Sequence, residues 1–383
     1  MKVLYLTPGV FDKGGISRYD RFQIMALREL VGAENVFVVS LMGSTGSVKD
    51  LETRFSVNWH GVSDRRSWVD KMAFAGASFF YAARYCPSLI WSGHMHYSAL
   101  AWALGRFSRA RVVVQIYGTE TWTPRPERPD ISLGFRRCDF VVSDAYFTAR
   151  YVEEAGLRPK GSVEVIWGPV DTESFAPGSP ARRVLEEYGI PSPGEHFNIL
   201  TLGRLSKATA YKGYLRLLEV FPRLPEKARL IYGGGGGDLR PVLEDRAVEL
   251  GIRDRVIFTG FIDEQDLPDV YRSASVFCLI ADWGPGRGEG GPLTALEAAA
   301  CGVPILVGNQ DGSQETVEHG VSGFALDPFD LDAIAAHLIR LAKDENLRRA
   351  MGQAAREKME RERAYPVFRE RMRQFMVKAG LLE

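Results

Sequence analysis

The chain carries no surplus of charge: 48 Lys and Arg are matched by 48 Asp and Glu across 383 residues. That balance gives a polyanion no global field to follow, so no nucleic acid is expected as a partner. No apolar run reaches membrane-spanning length. The start, MKVLYLTPGV, passes from one lysine straight into a strand-like run and lacks a signal peptide's apolar core and cleavage site, so a cytoplasmic protein is expected. Cysteine is scarce and scattered. Cys86, Cys138, Cys278 and Cys301 form no CxxC pair and sit in apolar or helical contexts, which predicts buried free thiols and neither disulfides nor a zinc site. Nor does any strand carry a DxD-like acid pair or a His/Asp cluster with metal spacing, so no metal cofactor is expected.

What is present is material for two cores, since hydrophobic residues make up 45% of a chain too long for one ordinary domain. Apolar, β-rich runs at 3–6, 36–40, 89–91, 112–116, 140–142 and 163–166 alternate with helix-length amphipathic stretches. A polar stretch punctuated by Pro177, Pro180, Pro191 and Pro193 follows, and a second series opens at 199–202, 230–232, 256–258, 276–280 and 305–307. Such alternation predicts βαβ units, hence an α/β protein with two Rossmann-like parallel-sheet domains. The expected division is 1–170, a linker at 171–195, a second domain at 196–350, and helices at 351–383. Pro366 is expected to break or kink the last of these. Ligands of open parallel sheets bind beyond the carboxyl ends of the strands, so a central cleft faced by both domains is expected to hold the site.

The densest chemistry lies at 282–302, DWGPGRGEGGPLTALEAAACG, where a glycine-rich loop delivers Glu289 to the mouth of a helix carrying Glu297. Pro292 suits a first helical position, and Gly302 with Pro304 suits a helix stop. A helix N-terminus reached through glycines attracts phosphate, and a carboxylate beside it suits a ligand rich in donors, such as sugar hydroxyls. A nucleotide-diphospho-sugar has both parts. In NILTLGRLSKATAYKG, Arg204 falls just past a strand and Lys212 before a helix, two cations fit for a leaving diphosphate. After the first strand, TPGVFDKGGISRYD puts Gly14 and Gly15 ahead of a helix expected near Ser17, with a spacing that is not GxGxxG and disfavours a nicotinamide cofactor. The run YGGGGGDL at 232–239 fits either close nucleotide approach or a flexible turn. His94 and His96 end the fourth strand, where a pair bonded to backbone is favoured over a role toward the acceptor.

Together these segments resemble the retaining, metal-independent glycosyltransferases of family four, which have the GT-B fold. The residues that carry the resemblance are Gly14–Gly15, GRLSKATAYKG at 203–213, RVIFTGFIDEQDLPDVYRSASVFCL at 255–279, EGGPLTALEAAACGVPIL at 289–306 with its E-x(7)-E spacing, and DGSQETVEHGVSGFAL at 311–326. The resemblance implies a sugar-nucleotide donor whose diphosphate is held by Arg204 and Lys212. It implies that Glu289 contacts donor-sugar hydroxyls, that Glu297 contacts the ribose, and that Gly14, Gly15, Gly233, Phe261, Gly290, Gly291, Pro292 and Leu293 line the donor. The helices of 351–383 are implied to cross back to the first domain. Two departures stand out. Such proteins commonly place a histidine where this chain has Tyr117, followed by Gly118 and Glu120, and a phenol donates a hydrogen bond but does not titrate near neutrality. The usual EGFG is EGGP here, which removes an aromatic wall. A non-catalytic sugar-nucleotide-binding protein, and an epimerase or phosphorylase on the same fold, are the competing readings.

The acceptor is left open among glycan, lipid-linked and small-molecule hydroxyls, with His94, His96 and Glu120 on its side. The stretch at 65–85, RRSWVDKMAFAGASFFYAARY, sets Trp68, Phe74, Phe79, Phe80 and Tyr81 beside Arg65, Arg66, Lys71 and Arg84 and could lie on a membrane. Its position before the fourth strand favours instead a crossover helix packing its aromatics on the sheet. Membrane contact is expected to be at most peripheral, at the inner face.

Overall fold

Every run read as a strand is one, and the edges of the sheets supply two more. A computed structural model describes residues 1–12, 14–43, 58–63, 67–122, 129–235 and 237–383, which divide into two compact units, Met1–Pro169 with Pro366–Glu383 and Val170–Tyr365. Of the stretch 351–383, residues 351–365 therefore lie in the second unit and only 366–383 in the first.

The first unit is built on seven strands: β1 (Val3–Thr7), β2 (Val36–Met42), β3 (Asn58–Ser63), β4 (Leu89–Ser92), β5 (Arg111–Ile116), β6 (Phe140–Ser143) and β7 (Val163–Val165). They pair in the order β3-β2-β1-β4-β5-β6-β7, all parallel. Alternation sends Leu4 and Leu6 to one face, where they pack with Val39, Ile90, Val114 and Phe74, and sends Tyr5 to the other, stacked on Trp91. That second face is covered by the helix Tyr365–Lys378, whose Phe375 meets Trp91 and Phe140 edge-on and whose Phe368 meets Tyr19.

The second unit holds β8 (Phe197–Leu202), β9 (Ala228–Gly233), β10 (Val256–Gly260), β11 (Val276–Leu279), β12 (Ile305–Gly308) and β13 (Gly323–Leu326). Their order is β10-β9-β8-β11-β12-β13, again parallel throughout. Both faces are covered, so these strands read as unbroken apolar runs. In each sheet the strand order reverses once, between β1 and β4 and between β8 and β11, and the loops at those carboxyl ends are where open α/β sheets bind ligands.

The helical stretch breaks where Pro366 was expected to break it: one helix ends at Glu362, and Pro366 occupies the first turn of the next, where a missing N–H costs nothing. Other expectations need correction. Cys138, Cys278 and Cys301 are buried, with burial pushing the thiols of Cys138 and Cys301 up to about 12, but Cys86 is exposed because it caps a helix at φ 47. The helix Trp68–Tyr85 sends Phe74 inward but leaves Trp68, Phe79 and Phe80 exposed. Arg65 and Arg66 lie outside the described residues.

Candidate active site

Around the β8–β11 reversal the second unit gathers most of the residues singled out from its sequence. The backbone leaves β8 at Leu202, and Arg204 follows with its side chain exposed and in no ion pair among the described residues. A 3₁₀ turn, Lys207–Lys212, then brings Lys212 back over the sheet end. Lys212 Nζ donates to Glu289 Oε1 at 2.6 Å, and Tyr211 Oη donates to the same oxygen at 2.9 Å. Both members of the ion pair keep about one seventh of their side-chain surface, Lys212 15% and Glu289 14%. Glu289 Oε2 has no protein donor among the described residues, so one carboxylate oxygen is committed and the other is open to a hydroxyl. Burial, followed by the Glu289 charge, pushes the Tyr211 phenol far above its ordinary range.

The Glu289 loop is fastened at both ends. Asp282 ion-pairs with Arg216 and lies 2.8 Å from Arg287 Nε within the loop itself. At the far end the Glu289 N–H donates to Asp311 Oδ2 at 2.8 Å. Asp311 also accepts from the Ser313 N–H at 2.9 Å and is fully buried, which raises its carboxyl to about 7, the neighbouring Glu289 charge adding to the effect of burial. Beyond Gly290, Gly291 and Pro292 the helix Leu293–Ala300 begins with no side-chain cap on its leading N–H groups, Pro292 standing one place before the expected position. Within that helix Glu297 is 4% exposed, and its Oε2 accepts from Tyr271 Oη at 2.7 Å.

Gly233 closes β9, and Phe261, 54% exposed, follows β10, both at the carboxyl edge of the sheet. The glycines after β9 answer to packing. A Cβ on Gly234, whose φ is 127, would lie 2.2 Å from the Gly203 carbonyl oxygen, and one on Gly237 2.3 Å from that of Leu205, so this loop must be side-chain-free to lie against the β8 loop. Gly236 lies outside the described residues.

In the first unit Gly14 caps the helix Gly15–Val31, two residues earlier than expected, at φ 133 and with open space where a Cβ would stand. The Tyr117 hydroxyl is not free: it donates to Asp20 Oδ1 at 2.8 Å. Asp20 is fully buried on the inner face of that helix and also accepts from Tyr5 Oη at 2.9 Å and Thr7 Oγ1 at 2.5 Å. Burial raises the Asp20 carboxyl to about 7 despite those three donors, and burial beside Asp20 raises the Tyr117 phenol well above its usual value. Glu120 Oε1 accepts from the Tyr117 N–H at 2.6 Å. His94 Nδ1 accepts from the His96 N–H at 3.2 Å, its ring 6.1 Å from that of Tyr117.

Sequence reasoning singled out Glu289, Glu297 and Tyr117 but not the side chains bonded to them, Tyr211 and Asp311, Tyr271, and Asp20 respectively. Asp311 opens a segment already singled out, DGSQE, and Asp20 closes another, GGISRYD. A carboxylate on the apolar side of an amphipathic helix was the available signal for Asp20.

Comparison with known proteins follows the same outline. Residues 189–358 match the family model described as glycosyl transferases group 1. The chain is 33% identical over 276 residues to the GDP-mannose-dependent alpha-(1-6)-phosphatidylinositol monomannoside mannosyltransferase of Mycolicibacterium smegmatis, covering 70% of each protein. It is 28% identical over 378 residues to the D-inositol 3-phosphate glycosyltransferase of Corynebacterium urealyticum, covering 91% of this chain and 87% of that one. Among solved structures, Anabaena Alr3699/HepE in complex with UDP superposes with a TM-score of 0.81 at 17% identity, covering 99% of this chain and 100% of the other. Sucrose-phosphate synthase from Thermosynechococcus elongatus gives 0.79 at 20% identity, covering 99% of both chains. Two parallel-sheet α/β units with these neighbours have the GT-B fold of two Rossmann-like domains, and the chain belongs to the group 1 glycosyltransferases.

Proposed function

We propose that the chain moves a sugar from a nucleotide-diphospho-sugar to an acceptor hydroxyl with retention at the anomeric carbon and without a metal ion. The observation that carries this reading is the Lys212–Glu289 pair at the β8–β11 reversal, with Glu289 Oε2 open and the unpaired Arg204 nearby in sequence. A mannosyltransferase relative is named for GDP-mannose, and a solved neighbour is described with UDP-glucose, which supports a donor of this class.

The anomeric carbon–oxygen bond to the diphosphate breaks while the acceptor oxygen bonds to that carbon from the same face. The acceptor's proton passes to a departing phosphate oxygen, so no protein nucleophile takes part. Negative charge grows on the leaving diphosphate, and preorganised cations lower the barrier by meeting it there. Lys212 has three N–H donors, of which Glu289 uses one, so the ammonium can stay fixed by Glu289 while a second donor meets phosphate. Arg204 adds a second cation, and the free N–H groups at Leu293 a partial positive charge. Glu289 Oε2 takes a donor-sugar hydroxyl, and Glu297, oriented by Tyr271, the ribose. In the first unit the same reading assigns the donor to Gly14, Gly15 and Tyr117, and the acceptor side to His94, His96 and Glu120.

The test is a panel of sugar nucleotides, with thermal stabilisation and release of nucleoside diphosphate as readouts, because a bound ligand stabilises the folded protein by mass action. A donor that stabilises the protein and is consumed only with an acceptor present, with unchanged rate in a chelator, is the expected result. Binding without turnover of any donor overturns it.

A further inference from the structure

The helix Trp68–Tyr85 is apolar on both sides. Its inner side buries Phe74 and Ala82 and sets the rings of Tyr81, tilted, and Tyr85, stacked, against Phe37 at 4.4 and 4.6 Å. Its outer side, which in a surface helix is ordinarily polar, carries Trp68, Val69, Met72, Phe79 and Phe80 at positions that share one face at helical spacing. These are exposed, Trp68 by 74% and Phe80 by 63%. Phe107, at the end of the helix Ser98–Ser108, is 58% exposed and meets Phe79 edge-on at 5.6 Å, so the patch continues across two helices. Single exposed apolar side chains are ordinary, whereas a contiguous patch marks a surface that docks on something.

The charges around the patch identify what docks. Lys71, Arg84, Arg106 and Arg109 stand exposed on these two helices and at the end of the second, and none is in an ion pair among the described residues. The sole acid of the first helix, Asp70, is occupied in the Ser67 capping box, and the second helix has none. A second copy of this chain is a poor partner, because a two-fold contact would set this cationic rim against itself. We propose that this face docks on the surface of an anionic lipid bilayer, with Trp68, Phe79, Phe80 and Phe107 entering the headgroup–acyl boundary and the four cations meeting lipid phosphates. No helix among the described residues is long and apolar enough to cross a membrane, so the contact is interfacial. The inference stands independently of the transfer reaction, since it concerns a surface and not the donor site.

The full chain is sedimented with vesicles of phosphatidylcholine alone or mixed equally with phosphatidylglycerol. Binding is expected only to the anionic vesicles, weakening as salt rises. Each of Lys71→Glu and Arg84→Glu should weaken it at least about fivefold, and Trp68→Ala with Phe80→Ala should abolish it. Val248→Ser, an equally exposed change elsewhere, should not affect it. All these positions are exposed, so thermal midpoints should hold and exclude misfolding as the cause. Lipids brominated near the headgroup should quench tryptophan fluorescence in the wild type and less in Trp68→Phe. Absence of binding, equal binding to neutral vesicles, or a dimer in solution dispersed by Phe80→Ala without vesicle binding overturns the proposal.

Discussion

Glu289 and Asp311 are joined through the backbone: the Glu289 N–H donates to Asp311 Oδ2 at 2.8 Å, and the Gly312 N–H returns a bond of 2.8 Å to the Glu289 carbonyl. A glycine-rich loop has little of its own to fix a side chain. The position of the Glu289 carboxylate is therefore set by the segment after β12, far along the sequence.

The closeness of that joint makes Gly312 a sensitive position. A Cβ there would lie 1.9 Å from the Gly290 carbonyl oxygen, so Gly312→Ala must push the loop away. Turnover is expected to fall about tenfold to a hundredfold, the cost of a small misplacement of a reacting group. Steady-state kinetics beside a thermal melt check this, and unchanged turnover would show that Glu289 is not placed by this contact.

The cation assignments predict separate losses. Arg204→Ala and Lys212→Ala should each remove about 2–4 kcal/mol of transition-state stabilisation. Transfer rates with a donor identified from the panel decide the matter. Near-normal rates in both variants, or a strict requirement for Mg²⁺, would exclude the proposed grip on the diphosphate.

The two glutamates should behave differently. Glu297→Gln is expected to weaken affinity for the free nucleoside diphosphate, whereas Glu289→Gln should leave that affinity intact or raise it, because Lys212 loses its counter-charge. Its turnover should fall. Calorimetry with the nucleotide separates them, and equal loss of binding in both would mean the pair has been assigned wrongly.

Asp20 and Asp311 give the stability a pH dependence of definite sign. Each carboxyl titrates at about 7 in the folded protein against 3.8 for the ordinary side chain, chiefly through burial. Across that window the folded protein binds more protons than the unfolded chain, so stability falls as pH rises from about 4 to about 7 and levels off above. Asp20→Asn should flatten part of that slope, by on the order of 1–4 kcal/mol between the two ends. Urea midpoints across the range report it. A slope unaltered by Asp20→Asn would place the titration elsewhere.

Tyr117→Phe tests the same network from the other side. It leaves Asp20 one donor short in a buried site, which should cost about 1–3 kcal/mol of stability. The urea midpoint is the readout. A midpoint equal to wild type would show that the hydroxyl is not engaged with Asp20 in solution.

The strands were legible because buried parallel strands are near-continuous apolar runs. The two that escaped, β3 and β13, are edge strands. NWHGVS mixes polar residues with a glycine and shows neither an apolar run nor a period of two. GFAL is apolar and no shorter than β4, β6, β11 or β12, and only its place behind the glycine of HGVSG sets it apart from the runs that were read. Arg204, Lys212 and Glu289 stood out in the sequence because they lie in glycine-rich or charged segments after strands, and Glu297, inside a helix, stood out through its E-x(7)-E spacing from Glu289. Their supports did not, because Tyr211, Tyr271 and Asp311 act through contacts with residues distant in sequence. The outward aromatics of Trp68–Tyr85 were misread for a related reason: a helix apolar all round does not say which side faces the sheet.

The return of residues 366–383 to the first unit bears on how the protein is made. Phe368 and Phe375 complete the packing around Tyr19, Trp91 and Phe140, so the first unit is assembled from the two ends of the sequence. On the ribosome its sheet can form early, but the side carrying Trp91 stays uncovered until the whole second unit has been synthesised. An N-terminal fragment ending at the unit boundary would keep that aromatic surface exposed and should require the separate 366–383 peptide to remain soluble.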